Sequence, residues 1–159
     1  MRTAPIDPAL EVSAGRVVAR VRLRAQLRTA WLQALGREDS DLLTSLGRDT
    51  VHEEARWQSS DESARALGEA LAAIETTMAA EAGTRLDRLV SLFGLAPTES
   101  DLLQACLALA LDPGLGRAFA YLQGHPARGY LTEPLIRRLF GHGPRRTLTA
   151  ESPLRRWIL

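Results

Sequence analysis

Apolar positions recur at helical spacing along most of this chain. From Ala14 to Leu35 only Gly15 interrupts a run of helix formers, and Val17, Val21, Leu32 and Leu35 share one side of the wheel, with Leu23, Leu27 and Trp31 flanking them. The run predicts the longest helix, closed by Gly36. Residues 1–13, which carry Pro5 and Pro8, read as an extended mobile arm. Residues 37–60 are polar and acidic, anchored only by Leu42, Leu43, Leu46, Val51 and Trp57. A short helix over Asp41 to Leu46, stopped by Gly47, fits there, and Glu53-Glu54 falls in a loop. Ser59 and Glu62 then stand at capping-box spacing before a stripe of Leu67, Ala70, Leu71 and Ile74, which predicts a helix to about Ala82. The two long helices make an antiparallel pair, with Trp31 and Trp57 placed to meet between them.

In the second half the helices shorten and the breaks sharpen. Arg85 to Phe93 is apolar-periodic and stops at Gly94; Thr98 is placed to cap the next helix, with Asp101 at its third position. That helix carries Leu102, Leu103, Cys106, Leu107 and Leu109 to Leu111, apolar nearly all round, and reads as the central element with Cys106 buried in it. Asp112-Pro113-Gly114 breaks it, Leu115 to Leu122 form a short helix, and Thr132 caps another, with Pro134 in its first turn, that runs to Phe140 before Gly141. Arg145 to Thr149 and Arg156 to Leu159 read as two short strands of a wing. The fold class expected is mainly α: a helical pair over 14–82, then a winged-helix-like domain over 84–159 with at most a small β wing.

One stretch carries a resemblance. Leu92-Phe93-Gly94-Leu95, Pro97, Glu99 and Asp101-Leu102-Leu103, followed by Leu111-Asp112, Arg117 and Phe119-Ala120-Tyr121-Leu122-Gln123, resemble the winged-helix region that precedes the ATPase module in AAA+ ATPases encoded with phage-tail-like contractile injection systems. The likeness covers Leu86 to Leu159. It implies a bacterial, non-catalytic accessory or recruitment region that works through protein contacts, with an injection-particle component or the ATPase module as partner. ATP and Mg would belong to a module further along the chain. The last residues, Leu154-Arg155-Arg156-Trp157-Ile158-Leu159, read as the middle of an apolar element and fit a chain that continues.

Composition narrows the chemistry. All 20 basic side chains are Arg, so no Lys is present to reach the phosphates of a P-loop, and the chain is expected not to be an enzyme. One cysteine makes no internal disulfide and no structural zinc site, and His52, His125 and His142 lack ligand spacing. No cofactor or metal is expected. No apolar run approaches the roughly 20 residues of a membrane span, and no signal peptide opens the chain, so a cytoplasmic protein is expected.

The net charge of +1 conceals a segregation, with +4 over residues 1–36, −7 over 37–82, −2 over 83–112 and +6 over 113–159. Two readings follow. Either the acidic middle folds against the basic ends, or the basic surfaces face an anionic partner. Arg16, Arg20, Arg24 and Arg28 form a ladder about 6 Å apart per step, able to track phosphates, grip an acidic partner helix or pair with the segment Glu38 to Glu81. Arg137 and Arg138, on the helix that a DNA-binding winged helix would use for recognition, and Arg145 and Arg146 in the wing complete the candidate surface for a partner or nucleic acid. Glu133 and Pro134 in the first turn of that helix offer nothing to read bases with, which favours a protein partner over DNA.

Overall fold

The computed structural model describes residues 8–38, 50–81, 83–142, 149 and 151–158. Among them lie eight helices: α1 Pro8–Glu38, α2 Thr50–Ser60, α3 Glu62–Ala80, α4 Arg85–Phe93, α5 Pro97–Leu111, α6 Leu115–Leu122, α7 Glu133–Phe140 and α8 Pro153–Ile158. No strand occurs among the described residues. Helix α1 is the spine. It packs against α3, α5, α6 and α7, and its Val17, Val21 and Ala25 join Ala105, Ala108, Leu115, Phe119, Leu122, Leu135, Ile136, Leu139 and Phe140 in one apolar cluster. Helix α3 runs antiparallel to α1, as the pairing of Glu81 with Arg16 and of Glu75 with Arg20 and Arg24 shows. Trp31 and Trp57 meet as expected, ring centroids 5.5 Å apart, with Trp57 on α2.

Several boundaries differ from the sequence reading, each for a local reason. Residues 8–13, expected in the arm, are the first turns of α1, which begins at Pro8; proline fits the first helical position because its missing N–H has no helical partner there. Gly36 does not take a left-handed conformation, so α1 passes through it to Glu38. Glu53 and Glu54 lie in α2 and not in a loop. Ser59 does not cap α3: its hydroxyl donates back to the Arg56 carbonyl at 2.7 Å inside α2, and Asp61 caps instead, accepting from the Ala64 N–H at 2.8 Å. Helix α3 stops at Ala80, short of Ala82. The helix expected at 41–46 lies outside the described residues, as do residues 145–148 of the first wing strand.

Thr84 and Asp87 form a reciprocal capping box on α4, and Thr132 caps α7 by accepting from Leu135 N–H. Thr98, by contrast, does not cap α5. Pro97 takes the first helical position, and the Glu99 carboxylate, 1% exposed, accepts from Ala96 N–H at 2.9 Å. Its second oxygen accepts from Leu154 N–H at 2.8 Å. One buried carboxylate thus closes the start of α5 and the start of α8. This is why the segment expected to be a second wing strand is helical: Pro153 opens it and Glu99 satisfies a free N–H of its first turn.

Cys106 is exposed, which corrects its expected burial. The side of α5 turned inward is made of Glu99, Asp101, Ala105 and Ala108. Alanines at the contact let α1 approach closely, and the turn of the helix that follows from this carries Cys106 outward. Neighbouring side chains still remove part of its solvent and hold the thiol above its ordinary pKa. A thiol reagent is therefore expected to label the native protein, faster as pH rises, and Cys106→Ser should move the unfolding free energy by no more than about 0.5 kcal/mol. Labelling that requires denaturant would contradict this placement.

Candidate interaction surface

The arginine ladder is engaged inside the molecule. Arg16 pairs with Glu81 and Arg28 with Glu54. Arg20 donates to Glu75 at 2.9 Å, to Asp101 at 2.6 Å and to the Gln104 side-chain oxygen at 2.9 Å. Arg24 reaches Glu75 at 2.5 Å and the Leu139 carbonyl at 3.0 Å, near the end of α7. Both guanidinium groups lie over the Phe140 ring, 4.8 and 4.9 Å from its centroid. The other oxygen of Asp101 meets His142 Nε2 at 2.7 Å. Gly141 in the left-handed conformation, φ 71°, turns the chain out of α7 and delivers His142 to that contact.

The electrostatics agree with the geometry. For Arg20, burial opposes the charge, but hydrogen bonds and attraction from Asp101 and Glu75 outweigh it and raise the pKa. Burial likewise works against the Glu75 carboxylate, and the hydrogen bonds from Arg24 and Arg20 overcome it, so its pKa lies below the ordinary value. A carboxylate depressed on folding stabilises the native state above its unfolded pKa and loses that contribution as pH falls through the folded value. Of the charge readings, the acidic stretch does fold against the basic start of the chain.

Of the second set of arginines, Arg137 and Arg138 lie among the described residues. On α7, Leu135, Ile136, Leu139 and Phe140 are buried, Arg138 is exposed, and Arg137 is half-buried and engaged with other groups. Arg145 and Arg146 lie outside the described residues. With Glu133 and Pro134 in its first turn, α7 offers a duplex little beyond Arg138.

One side of α4 stays open to solvent, while its Leu86 packs against the core. This helix has apolar residues at helical spacing and is capped at both ends, yet none of its residues is buried. Leu92 is 77% exposed and Leu89 42%. Across from α4, the first turns of α1 expose Leu10 and Val12. Between them runs a groove of about 920 Å³ whose floor includes Val17, Leu86 and Leu107. It continues past Gly83 and Arg88 into a hollow beside Met78, Ala79 and Leu92. Leu86, Val90 and Phe93 are half-buried, and the exposed leucines beside this groove suit a protein partner.

A family model described as winged helix domain, variant, matches residues 15–159. The chain belongs to this winged-helix family. The match takes in α1 from Gly15 onward and α2 to α8, so the arginine-bearing part of the spine belongs to the family region together with α4 to α8. This winged helix lacks a β wing among the described residues. No curated protein and no solved structure matches the chain. Among the described residues, no group of three or more His, Cys, Asp or Glu is placed to hold a metal ion, and no helix is long and apolar enough to cross a membrane.

Sequence reasoning foresaw the ladder and its acidic counterpart as blocks, but not Glu75, Asp101 and His142 as its partners. The spacing of Arg20 and Arg24 on one helix, opposite a carboxylate in a helix predicted to be antiparallel, was the signal available for Glu75. For Asp101 and His142 the contact is tertiary, and sequence spacing carries no trace of it.

Proposed function

We propose that this winged-helix protein is a non-catalytic recruitment module that docks a protein partner on the α1–α4 face, and that it serves as the accessory region of an AAA+ ATPase linked to a contractile injection system. The observation that carries the docking reading is α4 itself, with Leu89 and Leu92 exposed beside the groove and no residue fully buried. The motif over Leu92 to Gln123 supports the choice of partner, an injection-particle component or the ATPase module. In this reading the chain supplies contacts and leaves nucleotide chemistry to that module, since no Lys is present to reach a phosphate.

Titration of the purified protein with those candidate partners tests the proposal. Saturable binding is expected, and Leu92→Asp should abolish it without lowering the unfolding midpoint, because that side chain is 77% exposed. ATP should give no saturable heat. Duplex DNA should bind weakly, without sequence preference and with steep salt dependence. Sequence-selective duplex binding near nanomolar at physiological salt would replace this reading with a DNA-binding winged helix.

A further inference from the structure

A second surface, formed by α6 and the loop after it, is more ordered than a connecting loop requires. The Gln123 side chain donates to the carbonyls of Arg128 and Tyr130 at 2.8 and 2.9 Å and accepts from the Thr132 hydroxyl at 2.6 Å. Gly116 and Gly129 approach so closely that a Cβ on either would lie 3.1 or 3.2 Å from the carbonyl oxygen of the other. The loop is thus locked onto the start of α6. Held in place by this lock, Tyr121 and Tyr130 stay 51% and 55% exposed, with no aromatic or hydrogen-bond partner for either ring among the described residues.

Between Asp112 and Glu133 the charged side chains are basic. From Pro113 to Thr132 there is no Asp or Glu. Arg117 and Arg128 are exposed, and among the described residues neither guanidinium meets a carboxylate. Asp112, at the border, is held by Arg22 at 2.7 Å. His125 accepts from Ala127 N–H through Nδ1 at 3.2 Å, which leaves its Nε2 turned to solvent as a donor. The hollow of about 710 Å³ beside Tyr121 is lined by Gly116, Gly124 and Gly129 together with Arg117, His125 and Pro126. Its floor is therefore low and without a deep apolar socket.

We propose that this shelf binds single-stranded nucleic acid, with bases stacked on Tyr121 and Tyr130 and phosphates met by Arg117 and Arg128. Exposed aromatic faces suit unstacked bases, which a duplex does not present, and cations without neighbouring acids suit phosphate. A glycine floor lets a sugar-phosphate backbone come close, whereas a peptide would need an anchoring pocket. The surface is separate from the α1–α4 face, so the protein-docking reading stands or falls independently.

Fluorescence anisotropy with an oligothymidylate of about 20 nucleotides tests this at low salt. Saturable binding is expected, with Tyr121→Ala and Tyr130→Ala each weakening it about 5-fold or more, the lower end of one lost base stack. Tyr121→Phe keeps the aromatic face and should bind like the unaltered protein. Log affinity should fall with log salt at a slope of about −1.4, two phosphates at roughly 0.7 each. No saturable binding, or binding indifferent to both alanine variants, overturns the proposal. So does equal affinity for a duplex, or a polyglutamate peptide that binds with the same tyrosine dependence.

Discussion

Reversing Arg20 and Arg24 together to glutamate is expected to unfold the protein. Arg20 and Asp101 have side chains only 14% and 12% exposed, and Arg24 and Arg20 share Glu75. The double reversal would place two new carboxylates against Glu75 and Asp101, remove the donor to the Leu139 carbonyl and take both cations off Phe140. Breaking one buried pair costs about 3–5 kcal/mol, a large part of the roughly 5–15 kcal/mol that holds a domain of this kind together. Were the ladder exposed and reserved for a partner, each lost pair would cost about 0–1 kcal/mol. Urea unfolding separates the two outcomes. Acid should act on the same cluster: the depressed Glu75 contributes stability that is complete above its ordinary pKa of 4.5 and disappears as pH falls below it.

The second large effect lies in the apolar cluster. Phe119 is fully buried, on the short helix that α1 covers. Phe119→Ala should cost about 3–5 kcal/mol, from lost burial and from the cavity left among the packed helices. Two residues further along the same helix, Tyr121→Ala should change stability by no more than about 0.5 kcal/mol. Thermal or urea unfolding of the pair reads the contrast directly. Equal losses at the two positions would contradict the orientation of α6, and with it the exposure of the tyrosine shelf.

The helices legible in the sequence were those with strong local punctuation. Helices α4 and α7 begin and end as their caps dictate, Thr84 and Gly94, Thr132 and Gly141, and α6 begins after the break at Asp112-Pro113-Gly114. Where two residues compete to cap, local pattern does not decide. Asp61 and not Ser59 caps α3, because Ser59 bonds back within its own helix. At α5 a tertiary contact decides, since Glu99 serves Ala96 and Leu154 at once, and the same contact starts the helix that takes in 156–158, where a strand was expected from Arg156. The inward face of α5 was misread because apolar count favours leucine, whereas close approach of α1 favours Ala105 and Ala108. The ladder was visible, and so was the acidic stretch that could answer it. That both would be used internally follows only from the packing of α1 against α3 and α5.

Amide hydrogen exchange, comparing the protein alone with the protein bound to the partner proposed for it, tests most directly which face docks. New protection is predicted over Arg85–Phe93 and over residues 9–17, with α7 unchanged. Protection gained over Glu133–Phe140, with none on α4, would contradict the account.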